Sequence, residues 1–141
     1  MIAKILNGAT ALGACNKTEG ITTTEQLAAL FFSPQGREFC LKHNYPTLAM
    51  WREIKGHIPD LTKMGIFIDA GAIEVQGKGN IALIGETRAV AKFAGNNYAF
   101  HALVLHGAEA DIRAENYAVF LVETDSTGKA TITKDKTSIQ L

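Results

Sequence analysis

Four histidines, two cysteines and a scatter of charged side chains in the second half are the groups in these 141 residues whose types could do chemistry. Cys40 and His43 stand three apart in a helical segment, so they could share a face, and Cys15 and His57 could complete a four-ligand zinc set. No second closely spaced ligand pair accompanies them, which favours a structural thiol and a partly exposed histidine over a metal. His101 and His106 are five apart in a strand-like run, and odd spacing puts them on opposite faces, against a shared metal or a dyad. The string "GKGNIA" at 77–82 has the G-x-G-x-x-A form of a dinucleotide-binding turn and follows the strand-like "IEVQ". That fingerprint needs a long helix directly afterwards, and "NIALIGETRAVAKF" carries Gly85 instead, so the glycines read as chain corners. There is no Gly-x-Ser-x-Gly elbow, no phosphate loop ending in Gly-Lys-Ser/Thr and no His-Glu-x-x-His. No cofactor, metal or catalytic residue is expected.

The elements that must position these groups are announced by an echo. "AKFAGNNYAF" begins at 91 and "ADIRAENYAV" at 110, and fainter copies begin at 73 ("IEVQGKGNIALIG") and 130 ("ATITKDKTSIQL"). Each line holds a short alternating strand, a polar turn and a second apolar strand, repeating at intervals of 18, 19 and 20 residues. A period near twenty, with two strands and no helix per unit, is the signature of a β-solenoid whose coils stack in parallel. Stacking predicts that Ala91, Ala110 and Ala130 form one column and Phe93, Ile112 and Ile132 another. Asn80, Asn97 and Asn116 are expected at one recurring corner as an amide ladder, since asparagine tolerates the left-handed backbone of a tight turn. Tyr98 and Tyr117 follow as a stacked pair with a packing role. The last line departs from this pattern: Lys136 and Thr137 replace Asn-Tyr, and its lysines suit a strand edge protected from edge-to-edge pairing.

The first half has helical periodicity. Thr22 to Thr24 can cap a helix carrying Glu25 in its first turn and Leu27, Leu30 and Phe31 on one face. Ser33 and Pro34 start a second helix as N-cap and first helical residue. Tyr45-Pro46 breaks it, and Thr47 caps a third with Leu48, Met50, Trp51 and Ile54 on its apolar side. The expected fold is therefore α+β: an N-terminal helical cap over 1–60, then a short single-stranded parallel β-helix over 64–141. Its four or so coils run about 73–90, 91–109, 110–129 and 130–141.

Composition narrows the function classes. A hydrophobic content of 47% suits one compact domain, or two small units, folding without staples. Fourteen basic and fourteen acidic residues cancel with no Lys/Arg block, which removes the footprint expected of a nucleic-acid binder. No stretch approaches the ~18–20 apolar residues that cross a bilayer.

Three resemblances add to this reading. The run "MIAKILNGATALGAC", with Lys4 near its start and Leu12-Gly13-Ala14-Cys15 at its end, resembles a bacterial lipoprotein signal, which implies a surface anchor through a lipidated Cys15. Asn7, Gly8 and Thr10 interrupt its apolar run, so a folded cytoplasmic start is the leading expectation and the anchor the alternative. Residues 64–141 resemble a right-handed parallel β-helix of the pectate-lyase-like kind. That likeness implies acid or base work by clustered Asp, Lys and Arg, here Glu74, Glu86, Arg88, Asp111, Arg113 and Glu115, which lack an aspartate pair in one column. "LFFSPQGREFCLKHNYPTLAMWREI" is similar to small proteins of gut bacteria and implies no activity. The expected function is a non-catalytic structural or protein-interaction module, meeting a partner or itself through its sheet face or C-terminal coil. A surface lipoprotein or glycan-binding module is the alternative, and a carbohydrate-active enzyme the third.

Overall fold

The computed structural model describes residues 1–14 and 18–141, so Cys15 and the lipidation considered for it lie outside the described residues. The chain divides into two compact units, Met1–Asp60 and Leu61–Leu141.

The first unit contains α1 (Ile2–Ala11), α2 (Thr24–Phe32), α3 (Pro34–His43) and α4 (Leu48–His57). The caps follow from side-chain chemistry. Thr23 and Gln26 form a reciprocal capping box at the start of α2. Ser33 closes α2 and opens α3: its Oγ donates to Leu30 O at 2.6 Å and accepts from Gly36 N at 3.1 Å. Gly36 is required there, because a Cβ would overlap the Leu30 carbonyl. Asn44 ends α3 in the left-handed region at φ 50°, ahead of a cis Tyr45-Pro46 bond, and Thr47 Oγ1 accepts from Met50 N at 3.2 Å to start α4. Tyr45 Oη donates to Ile5 O at 2.7 Å, with its ring lying where a side chain on Gly8 would go. Phe31 meets Trp51 edge-on at 5.1 Å.

The second unit opens with a 3₁₀ turn, Leu61–Met64, and is otherwise a parallel β-solenoid of about four coils. Its strands are β1 (Ile66–Ile68), β2 (Gly71–Gln76), β3 (Asn80–Ile84), β4 (Thr87–Ala94), β5 (Ala99–Leu105), β6 (Glu109–Glu115), β7 (Val119–Thr124), β8 (Lys129–Lys134) and β9 (Ile139–Gln140). Odd-numbered strands form one parallel sheet in order β1-β3-β5-β7-β9, and even-numbered strands a second, β2-β4-β6-β8. Each coil supplies one strand to each sheet. The inward residues of the two sheets close a shared core with Leu83, Phe93, Val104, Ile112 and Phe120 at its centre. The glycines of "GKGNIA" fall in the corner between β2 and β3, and no helix follows.

The register corrects the columns read from the echo. Ala110 pairs with Ala130 and Ile112 with Ile132 as expected. One coil earlier, however, Ala110 pairs with Ala89, Ile112 with Ala91, and Phe93 with Ala114. Coil lengths in the second sheet are thus 16, 21 and 20 residues, from the pairs Ile73↔Ala89, Ala89↔Ala110 and Ala110↔Ala130. The physical reason is volume. In the register of the echo Phe93 would lie on Ile112 and Ala91 on Ala110, large on large and small on small. The observed register sets Phe93 beside Ala114 and Ala91 beside Ile112, filling a narrow interior evenly. Phe93 stacks across the core on Phe100 at 4.8 Å, and Gly77 is bare because a Cβ would press on the Phe93 ring.

The amide ladder is corrected by the same register. Asn80 lies within β3, opposite His101. Asn97 sits in the corner 95–98, where the left-handed residue is Gly95 at φ 82°, whereas Asn116 is itself left-handed at φ 57° in the shorter corner 116–118. Because Ala99 pairs with Val119, Tyr98 is level with Ala118 rather than Tyr117. Tyr98 contacts the Phe100 ring at 6.0 Å, and Tyr117 is 62% exposed.

Aspartate and threonine fasten the corners instead. His106 and Gly107 are both left-handed, as are Asn116 and Tyr117, so their N–H groups face the next coil. Asp125 Oδ2 accepts from His106 N at 2.8 Å and Thr127 Oγ1 from Gly107 N at 2.9 Å. One corner later Asp135 Oδ2 accepts from Asn116 N at 3.0 Å and Thr137 Oγ1 from Tyr117 N at 2.8 Å. In both corners the other carboxylate oxygen, Oδ1, accepts from the Thr hydroxyl and from the N–H groups two and three residues on. Thr87 plays the threonine part earlier, accepting from Ala70 N at 3.1 Å.

Candidate functional site

Strand alternation turns every second residue of β2, β4, β6 and β8 away from the core, and these residues make the outer face of the second sheet. Pairing arranges them in columns. Ala72, Arg88, Glu109 and Lys129 form the first; Glu74, Val90, Asp111 and Thr131 the second; Gln76, Lys92, Arg113 and Thr133 the third. The short side chains of Ala72, Val90 and Thr131 lie low between longer charged neighbours. The result is a shallow open trough of about 710 Å³ rimmed by Glu74, Arg88, Glu109, Asp111 and Lys129.

Five of the six charged residues considered for acid or base work are therefore brought onto one face, Glu86 alone standing in the corner before β4. Their geometry is that of paired surface charges. Arg113 Nη2 donates to Asp111 Oδ2 at 2.9 Å, and Arg88 Nε lies 3.8 Å from Glu109 Oε2. Glu74 and Asp111 share a column with Val90 between them, about 9–10 Å apart at two strand spacings. A carboxyl acting as general acid must be kept protonated by a dry pocket or a like charge. Asp111 is instead paired with the Arg113 guanidinium, and Glu74 faces solvent. The one aromatic residue on these four strands, Phe93, points into the core, so a sugar ring has nothing to stack on.

The remaining sequence candidates lie elsewhere. His101 Nε2 is 2.8 Å from Glu123 Oε1, a side-chain pair linking β5 to β7 that strand spacing alone does not reveal. His106 is in the corner after β5, so the two histidines are not brought together. Cys40 and His43 share α3, but the His43 ring lies against Phe39 at 4.5 Å, and burial pushes the Cys40 thiol up to about 12. Among the described residues no three His, Cys, Asp or Glu side chains are grouped to hold a metal.

The corner carboxylates escape sequence reasoning as well, although the repeated "DSTG" and "DKTS" ten residues apart are a legible signal for them. Burial alone would raise the Asp125 carboxyl, but the N–H groups of His106, Thr127 and Gly128 and the Thr127 hydroxyl outweigh it and hold it below the usual carboxylate range. The Asn116 N–H, followed by the Thr137 hydroxyl, holds Asp135 far below that range. These groups are spent on structure.

No protein-family model, curated protein or solved structure matches the chain. Among the described residues, no helix is long and apolar enough to cross a membrane.

Proposed function

We propose that the chain is a non-catalytic protein-interaction module that offers the outer face of the second sheet to a protein partner. The observation that carries this reading is the face itself: four rigid parallel strands presenting exposed charges of both signs around a low floor of Ala72, Val90 and Thr131. Such a surface matches another protein's charged side chains better than a small molecule, which wants an enclosed and mostly apolar cleft. The paired arginines and carboxylates, Arg88 with Glu109 and Arg113 with Asp111, supply registration. The corner hydrogen bonds keep the strands fixed, so binding costs little ordering of this chain.

Charge reversal on the face tests the proposal. Arg88→Glu combined with Asp111→Lys is expected to leave the melting temperature within a few degrees and to remove the protein captured from the host by the wild-type chain. An identical captured set, or turnover of a glycan lost in the variant, would contradict it.

A further inference from the structure

Strand by strand, the outer face of the second sheet carries its charge in an antisymmetric order. Glu74 gives β2 one negative charge and Arg88 with Lys92 give β4 two positive ones; on β6, Glu109, Asp111 and Glu115 outweigh Arg113 by two, and Lys129 gives β8 one positive charge. Lys134 is outside this count, because it pairs with the inward Ala114 and its Nζ donates to Ser138 O at 3.2 Å. Reflection across the midline between β4 and β6 reverses the sign at every strand.

We infer that this face pairs with the same face of a second copy, about a two-fold axis that runs along the strands between β4 and β6. The inference rests on the interaction-face reading above and names its partner. Rotation about that axis lays β4 over the other copy's β6 and β2 over its β8, so strands of opposite net charge face each other, although Glu74 then lies over Thr131 and Lys129 over Ala72. Residue heights along the strands are kept, so Arg88 faces Glu109 of the second copy, and Glu109 faces its Arg88. A two-fold axis across the strands would instead set β4 on β4 and β6 on β6, like charge on like. One position opposes the chosen arrangement: Lys92 faces Arg113, whose guanidinium already holds Asp111 at 2.9 Å. The contact is isologous, so every favourable pair occurs twice. Four strands of about seven residues cover roughly 400 Å² per copy, near half of the ~800 Å² typical of a stable complex. The dimer is therefore weak, exchanging and sensitive to salt.

Sedimentation equilibrium of the full chain over a range of concentrations, at low and high salt, tests this. A concentration-dependent dimer that weakens in high salt is expected. Arg88→Glu and Glu109→Arg, both at exposed positions, should each weaken self-association by about tenfold or more. An equimolar mixture of the two variants should restore association as a heterodimer, because position 88 of either variant then meets opposite charge at position 109 of the other. A monomer at every concentration in low salt, a dimer indifferent to both substitutions, or a mixture that fails to associate overturns the inference. If the wild-type chain is monomeric yet Arg88→Glu still loses a captured host protein, only the second-copy partner falls. If neither self-association nor capture depends on Arg88, the interaction-face reading falls with it.

Discussion

Asp125 and Asp135 are each held ionised by N–H groups of two successive coils, and this makes the solenoid's stability depend on acid. Both carboxyls lie below the usual value in the folded chain, whereas in the unfolded chain they return to about 3.9. The folded state therefore binds fewer protons, and their stabilisation is present above about pH 4 and is lost as pH falls through the folded values. Thermal melting followed from neutral pH down to about pH 2 should show that loss, and Asp125→Ala should flatten it. At neutral pH, Asp125→Ala should cost about 1–3 kcal/mol, because the His106, Thr127 and Gly128 N–H groups lose their acceptor. The two corner asparagines separate in the same assay. Exposed Asn97 bears no left-handed strain, so Asn97→Leu should stay within ~0.5 kcal/mol. Asn116 sits at φ 57°, and Asn116→Leu should cost about 1–2 kcal/mol in a conformation that branched or bulky side chains resist.

At the scale of elements, large-on-small stacking decides which residues meet. Phe93 owes its room to Ala114 in the next coil and to Gly77 at the corner. Ala114→Phe should lower stability by about 1–3 kcal/mol through overpacking, measured by urea unfolding. An effect no larger than that of an exposed substitution would show that the Phe93 column is misplaced. Helices α2, α3 and α4 are readable in the sequence because Thr23, Ser33-Pro34 and Thr47 cap them by local chemistry that needs no tertiary partner, whereas α1 has no side-chain cap to announce it. The solenoid is readable because alternation and the twenty-residue echo are both periodic. Its register is not, since "NNYA" and "ENYA" match as letters while the corners holding them differ in length, 95–98 against 116–118. Volume complementarity between coils, which no single line of sequence displays, settles the pairing.

At the scale of the whole molecule, five charged residues that look scattered in the sequence become one face. The unequal coils of 16, 21 and 20 residues obscure that convergence. Correct register places Glu74, Arg88, Asp111 and Arg113 within three adjacent strands of the same sheet. The internal pairing of Asp111 with Arg113, and the absence of an outward aromatic on these strands, follow only once the inward and outward positions are known. The most direct test is a photoactivatable cross-linking residue at Val90, on the floor of the trough, with the full chain expressed in its host. The expected result is a cross-linked protein product that disappears when Arg88→Glu and Asp111→Lys are added. Cross-links to glycan alone, or a protein product that survives the charge reversal, would contradict the assignment of this face as the interaction surface.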